Sequence, residues 1–274
     1  MAVSGAERRS IFITGGASGI GRAIARHFGA RGWFVGIADI NVEGMKETLG
    51  LIGGGFTYMH RLDVRDRAAW DEALAAFHTA AGARIDVVVN NAGIGIGGPL
   101  AELDKEEIDR CLDINLRGVL YGAQAAYPYL KASAPGSALV NIASAAGIAG
   151  GSGMSVYSAT KFGVRGLAES LDAEWAADGI KVSSICPSFI DTPLLDGTGN
   201  RRSNETIRTR VTAAGLEITP AEEVAQAVWE AVHGDKLHYL VGKTARRLAF
   251  AKRWMPGRVR KQQRAAGGQG LLGR

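Results

Sequence analysis

Short apolar runs alternate along this chain with longer stretches in which apolar positions recur every three to four residues. The runs fall at 10–14, 34–38, 57–62, 86–89, 138–142, 181–186 and 239–241, lengths that suit strands better than helices. Residues 19–31, 67–80, 105–131, 156–177 and 221–233 carry the helical period. Strand followed by helix, repeated in this way, predicts the α/β class: a doubly wound parallel sheet with right-handed crossovers and helices on both faces. Ligands in such sheets bind beyond the carboxyl ends of the strands, so the side chains that follow each run carry the candidate chemistry.

With 274 residues, 46% hydrophobic and 22% charged, the chain is long enough for one such sheet and short for two. No apolar run approaches the ~20 residues of a membrane-spanning helix. The polar stretch 1–10 leads into the first run without the marks of a signal peptide, and the two observations together point to the cytoplasm. Cys111 and Cys186 lie in apolar surroundings and read as buried thiols of a reducing compartment, not as a disulfide or a nucleophile. The His residues show no metal-ligand spacing, so no metal is expected.

The net charge of +5 is unevenly spread. Ten of the 32 Lys and Arg lie beyond Gly242, where there is no Asp or Glu, leaving 22 basic and 27 acidic side chains before it. The chain therefore divides into a single domain, 1–242, and a basic, partly helical extension, 243–274. In the extension Leu248, Ala251, Met255 and Val259 share one helical face, Arg246, Arg253, Arg260 and Arg264 lie roughly opposite, and Pro256-Gly257 interrupts. Such a segment is expected to pack on its own protein or a partner subunit, with weak peripheral contact to an anionic membrane as the second reading and nucleic-acid binding not expected.

Directly after the first run comes Thr14-Gly15-Gly16-Ala17-Ser18-Gly19-Ile20-Gly21, opening a helix. Glycines in a strand-to-helix turn let backbone approach a pyrophosphate, and the positive helix end stabilises its charge. Asp39, at the end of the second run, can accept both hydrogen bonds of an adenosine ribose diol and repels a 2′-phosphate. Neither Ile40 nor Asn41 offers a cation, so NAD is favoured over NADP. Leu62-Asp63-Val64 and Asn90-Asn91-Ala92-Gly93 close the third and fourth runs in turns suited to a flat polar ligand or to simple turn chemistry. Tyr157 and Lys161, four apart, share a helix face. A free Tyr has a pKa of ~10, and lowering it by ~3 units requires ~4 kcal/mol, within reach of a lysine cation and a positive nicotinamide. Ser144, after the fifth run, can hold a substrate oxygen beside that phenol. Its context, Ile142-Ala143-Ser144-Ala145-Ala146, lacks the nucleophile elbow and the nearby His of a hydrolase.

These motifs, together with Asn115 and the stretch 187–192, follow one another in the order and spacing of the short-chain dehydrogenase/reductase family, which the chain resembles over roughly residues 10–242. The resemblance implies a seven-stranded Rossmann sheet, with Asp63 near the adenine and Val64 beside it among the cofactor contacts. It implies that Asn91, Ala92 and Gly93 lie against the cofactor and central strand. Pro187, Ile190 and Thr192 are placed at the nicotinamide, the last two on its carboxamide. It further gives Lys161 the nicotinamide ribose and Asn115 a water of a proton relay, and it suggests a homodimer or homotetramer built through 105–131 and 156–177. One departure is Ser188, where the family has Gly; a positive φ is costly for Ser, so a differently shaped turn is expected.

The resulting expectation is an NAD-dependent oxidoreductase with Tyr157 as general acid/base, acting on a neutral, fairly hydrophobic secondary alcohol or ketone. The substrate candidates Ile94, Ile96, Ala149, Met154, Phe189, Leu194 and Leu195 include no cation, and residues 196–210 read as a lid. The rival is a non-catalytic NAD-binding sensor or scaffold that engages a partner through the basic tail. The intact set Asn115, Ser144, Tyr157 and Lys161 weighs against it.

Overall fold

A computed structural model describes residues 8–198 and 204–265. Its strands are β1 (Ser10–Thr14), β2 (Phe34–Asp39), β3 (Thr57–Arg61), β4 (Val87–Asn90), β5 (Ala138–Ile142), β6 (Lys181–Pro187) and β7 (His238–Val241). All pair in parallel in one sheet of order β3-β2-β1-β4-β5-β6-β7. The chain winds outward from β1 to β3 and then returns to place β4 against β1, with Ile11 opposite Val87. This reversal opens a crevice at the carboxyl ends of β1 and β4, where a ligand can enter the sheet.

The helices are α1 (Gly19–Gly29), α2 (Val42–Ile52), α3 (Arg67–Ala80), α4 (Lys105–Leu112), α5 (Gly118–Ala132), α6 (Ser155–Trp175), α7 (Ile207–Ala213), α8 (Ala221–His233), α9 (Lys243–Trp254) and α10 (Pro256–Ala265). Strand alternation sorts the core into two layers. Ile11 and Ile13 of β1 pack with Ile24 and Phe28 of α1 and Val228 of α8, whereas Phe12 meets Trp70 and Phe77 of α3 on the other face. Edge strand β7 is tied in by His238, whose Nδ1 lies 2.8 Å from Ser184 Oγ and Nε2 3.1 Å from Glu169 Oε1.

Three features depart from the sequence reading. Helix α2 was not anticipated, although its signals are present: Asn41 Oδ1 accepts from Gly44 N at 3.0 Å at one end, and Gly53 adopts the left-handed conformation at the other. The single helix expected over 105–131 is two helices joined by a π-helical turn, Asp113–Arg117, which holds one extra residue. In the extension, the interruption expected at Pro256-Gly257 separates two short helices, and what differs is which residues of the expected apolar face are buried. Val259 is buried there and Ala249 packs beside the Ala143, Ile148 and Cys186 cluster, but Met255 is exposed.

Trp70 connects this core to the crevice: the ring is fully buried and its Nε1 donates to the Val64 carbonyl at 3.1 Å, fixing the turn after β3. Trp70→Phe keeps most of the packing and removes that bond, so a loss of about 1–3 kcal/mol in urea unfolding is expected. Trp70→Ala should lose about 3–5 kcal/mol.

Candidate active site

The carboxyl ends of β1 through β6 border one cleft of about 600 Å³. On its first side the chain turns from β1 into α1 with Gly15 at φ +68° and Gly19 at φ +50°, left-handed conformations that suit glycine. A Cβ on Gly21 would strike the Gly15 carbonyl and stand 2.7 Å from Asn91 Nδ2, so Gly21 packs beneath the turn without lining the cleft. The Ser18 side chain does not cap α1 and no acidic residue occupies its first turn. The first-turn N–H groups, at Gly19 and Ile20 on the cleft wall, are thus arranged for an anion such as a pyrophosphate.

This turn is locked to the end of β4. Asn91 Nδ2 donates to the Thr14 carbonyl at 2.8 Å and to the Gly15 carbonyl at 3.2 Å. In return Thr14 Oγ1 accepts from Asn91 N and Ala92 N, each at 3.1 Å. Asp39 stands on the adjoining wall, its Oδ2 accepting from Ala17 N at 3.1 Å and its Oδ1 from Asn41 N at 3.0 Å. Each oxygen keeps lone-pair capacity for a further donor, such as a sugar hydroxyl. Asp63 and Val64 also line the cleft. Arg65, which the sequence reading missed, forks onto Asp63 with Nε 2.9 Å from Oδ1 and Nη2 2.6 Å from Oδ2. That hydrogen bonding holds the Asp63 carboxyl below its usual range.

Across the cleft, α6 presents Tyr157 and Lys161 one turn apart, and the turn after β5 presents Ser144. Ser144 Oγ accepts from Ala146 N at 3.1 Å, and its hydroxyl is close enough to the Tyr157 phenol to favour the phenolate. Lys161 is buried, donates to the Ile142 carbonyl at 2.9 Å and holds its Nζ 5.7 Å from the Tyr157 ring centre. A Cβ on Gly93 would lie 3.7 Å from that Nζ, so the turn after β4 closes against the lysine. Burial lowers the Lys161 ammonium to about 8. The Tyr157 ring keeps part of its surface on the cleft, yet enough protein surrounds it that burial pushes its hydroxyl up, with the Ser144 hydroxyl opposing. The expectation joined Lys161 to a positive nicotinamide; the protein's own groups leave the phenol raised, because desolvation outweighs its neighbours.

Asn115 lies in the π-turn, fully buried behind the cleft wall. Its Nδ2 donates to the Ile94 carbonyl and its Oδ1 accepts from Ile94 N, both at 2.8 Å. It thereby pins the segment that follows Gly93.

The remaining expected positions separate cleanly. Ala92, Gly93, Pro187, Ile190 and Thr192 line the cleft, as do Ile94, Leu194 and Leu195. Ile96, Ala149, Met154 and Phe189 do not line it. Arg110 and Ile114 do, unforeseen, because the helical period alone does not say which face of α4 and the π-turn meets the crevice. Ser188 also lines it, and its N and Oγ donate to the Val241 carbonyl at 3.1 and 3.3 Å. Ala83 is the non-glycine residue with positive φ among those described, so Ser188 is spared the strain that its type suggested. Of the expected lid, 199–203 lie outside the described residues. Its flanks are joined by Arg208, which pairs with Asp191 and Asp196 at 2.7 Å each.

Comparison with known proteins extends this picture. A family model described as short chain dehydrogenase matches residues 9–205. The 3-oxoacyl-[acyl-carrier-protein] reductase of Thermotoga maritima is 34% identical over 241 residues, spanning 86% of this chain and 95% of the relative. A short chain dehydrogenase/reductase of Burkholderia phymatum, solved in complex with NAD, superposes with a TM-score of 0.80 at 25% identity, covering 93% of this chain and 95% of that one. A variant of actinorhodin polyketide ketoreductase solved with NADPH gives a TM-score of 0.79 at 30% identity, covering 89% and 99%.

Burying the Lys161 ammonium has a measurable cost. Below pH 8 the lysine is charged in both folded and unfolded chains, and the gap between about 8 and the ordinary 10.5 corresponds to about 3 kcal/mol against folding. From pH 8 to 10.5 the folded state binds fewer protons than the unfolded one, so this penalty is relieved as pH rises. Lys161→Met loses the Ile142 hydrogen bond, about 1 kcal/mol, and should still be more stable than the wild type at pH 7 by about 2 kcal/mol. Denaturant titration across pH should find that advantage shrinking between pH 8 and 10.5.

Proposed function

The chain belongs to the short-chain dehydrogenase family, and on that premise we propose that it is an NAD-dependent oxidoreductase acting on neutral, fairly hydrophobic secondary alcohols or ketones. The observation that carries the reading is the placement of Ser144, Tyr157 and Lys161 on one wall of a cleft whose opposite wall is the glycine turn and Asp39. The uncapped start of α1 fits the pyrophosphate of a dinucleotide, the Asp39 carboxylate fits its adenosine ribose diol, and Asp63 and Val64 border the adenine. Lys161 would hold the nicotinamide ribose, with Pro187, Ile190 and Thr192 around the nicotinamide. Bound there, the nicotinamide supplies or accepts the hydride.

The protein's part is the proton. Ser144 holds the substrate oxygen beside the phenol, and Tyr157 donates to that oxygen in reduction or accepts from it in oxidation. Burial alone favours the protonated phenol, which suits donation. For oxidation the phenolate needs cations close by, and Lys161 provides one, its Nζ 5.7 Å from the Tyr157 ring centre. Asn115 acts at one remove, fixing Ile94 on the substrate side through its amide, and the relay water is assigned to the space between it and Lys161.

Coenzyme choice follows from charge. Asp39 and the exposed Ile40 leave a 2′-phosphate without a partner, and Arg65, which also lines the cleft, is committed to Asp63. Apolar Ile94, Leu194 and Leu195 set the substrate side. Subunits are proposed to associate through α5 and α6, which keep Leu120 and Phe162 exposed.

Turnover of a panel of secondary alcohols and ketones, followed at the nicotinamide absorbance band, tests the reading. Activity with NAD should fall by about 10²–10⁴ in Tyr157→Phe. A charged hydroxy acid turned over as well as neutral alcohols would overturn the substrate class and point to Arg110 as its clamp. In the double variant Asp39→Ala/Ile40→Arg, the ratio of kcat/KM for NADP over NAD should rise by about 10² or more, since one repulsion is removed and one phosphate partner added. An unchanged ratio would show that coenzyme choice lies elsewhere.

A further inference from the structure

The outer face of α9 has a composition that the cleft chemistry does not call for. Phe250 and Trp254, one turn apart, are 60% and 65% exposed, and Met255 beside them is 37% exposed. Arg246 and Arg247 lie one turn before Phe250 and Arg253 three residues after it, so all three share the sector of the two aromatic rings. The opposite face carries buried Ala245 and half-buried Leu248 and Ala249, which pack on the body. Helix α10 is arranged alike: Val259 is buried and Gln263 Nε2 donates to the Gly150 carbonyl, while Arg260, Lys261 and Arg264 are exposed. No carboxylate occurs from Lys243 to the end of the chain.

We propose that this face docks the protein on an anionic lipid bilayer. Charge complementarity selects the partner. Aromatic and Met side chains entering the acyl boundary leave guanidinium groups at phosphate depth, where they are neutralised without being buried. A protein partner would have to place a carboxylate against each of three arginines as it desolvated them, whereas anionic headgroups supply counter-charge anywhere on the surface. The docked orientation matters because Gln263 and Ala249 rest on the segment that follows Ser144, which ties the lipid-facing face to the backbone behind the serine of the proton-transfer set. This last point rests on the oxidoreductase reading, whereas the lipid contact does not.

The test uses the full chain and no turnover. Co-sedimentation is measured with vesicles of phosphatidylcholine alone and of phosphatidylcholine mixed with phosphatidylglycerol, at low and high salt. Partition onto the anionic vesicles should be about tenfold or more stronger, and salt should weaken it. Phe250→Ser/Trp254→Ser should lose about tenfold of that partition, and Arg247→Gln/Arg253→Gln should lose the preference for anionic lipid. A blue shift of tryptophan emission on anionic vesicles should vanish in Trp254→Phe. Thermal unfolding of each variant confirms that the fold is kept, the substituted side chains being exposed. Equal partition onto the two vesicles, or none, overturns the proposal. So does a fall in oligomeric mass in Phe250→Ser/Trp254→Ser, which would make the face an interface between copies, or duplex DNA binding that vesicles fail to match.

Discussion

Thr14 and Asn91 sit where the winding of the sheet reverses, and their mutual hydrogen bonds are the constraint on which the rest of the cleft depends. Parallel strands leave their last backbone groups unpaired at the carboxyl edge, and a crevice between β1 and β4 exposes them further. Asn91 satisfies the Thr14 and Gly15 carbonyls with a side-chain amide, leaving the turn's outward surface for a ligand. The close approach forbids a Cβ at Gly21, and the same lock carries on through Gly93 to the neighbourhood of Lys161. One cross-link therefore sets the distance between the glycine turn and the wall that bears the lysine.

That wall is dominated by desolvation. A buried ammonium and a phenol raised by its surroundings are both less ionised than they would be in water. The fold stores this cost in one small region, beside close-packed apolar side chains such as Val140, Ala143 and Val164. Activity and stability are expected to pull in opposite directions at Lys161.

How much of this was legible in the sequence depends on the range of each interaction. The strands were readable because parallel strands buried on both faces are continuous apolar runs, and β1 and β5 coincide with theirs. Helix α2 escaped because its capping residues, Asn41 and Gly53, were not weighed. The residues at strand ends, Asp39 and Ser144 among them, could be named because topology sends every such end to one edge of the sheet. Arg65 and Arg110 could not, since their reach into the cleft depends on side-chain direction and on a neighbour, Asp63 in the case of Arg65. The direction of the Tyr157 shift was also hidden: spacing reveals the lysine on the same face but not the burial that outweighs it.

The π-turn at Asp113–Arg117 has an evolutionary side. Because it holds one residue more than a regular turn, losing a single residue there would fuse α4 and α5 into a continuous helix with better hydrogen bonding. Such a deletion would also rotate Asn115 by about 100° relative to one flank, taking its amide away from Ile94. Selection for helix stability alone would remove the extra residue. A one-codon gap at this turn in a descendant of this chain would therefore signal a changed function, even with every named side chain still present.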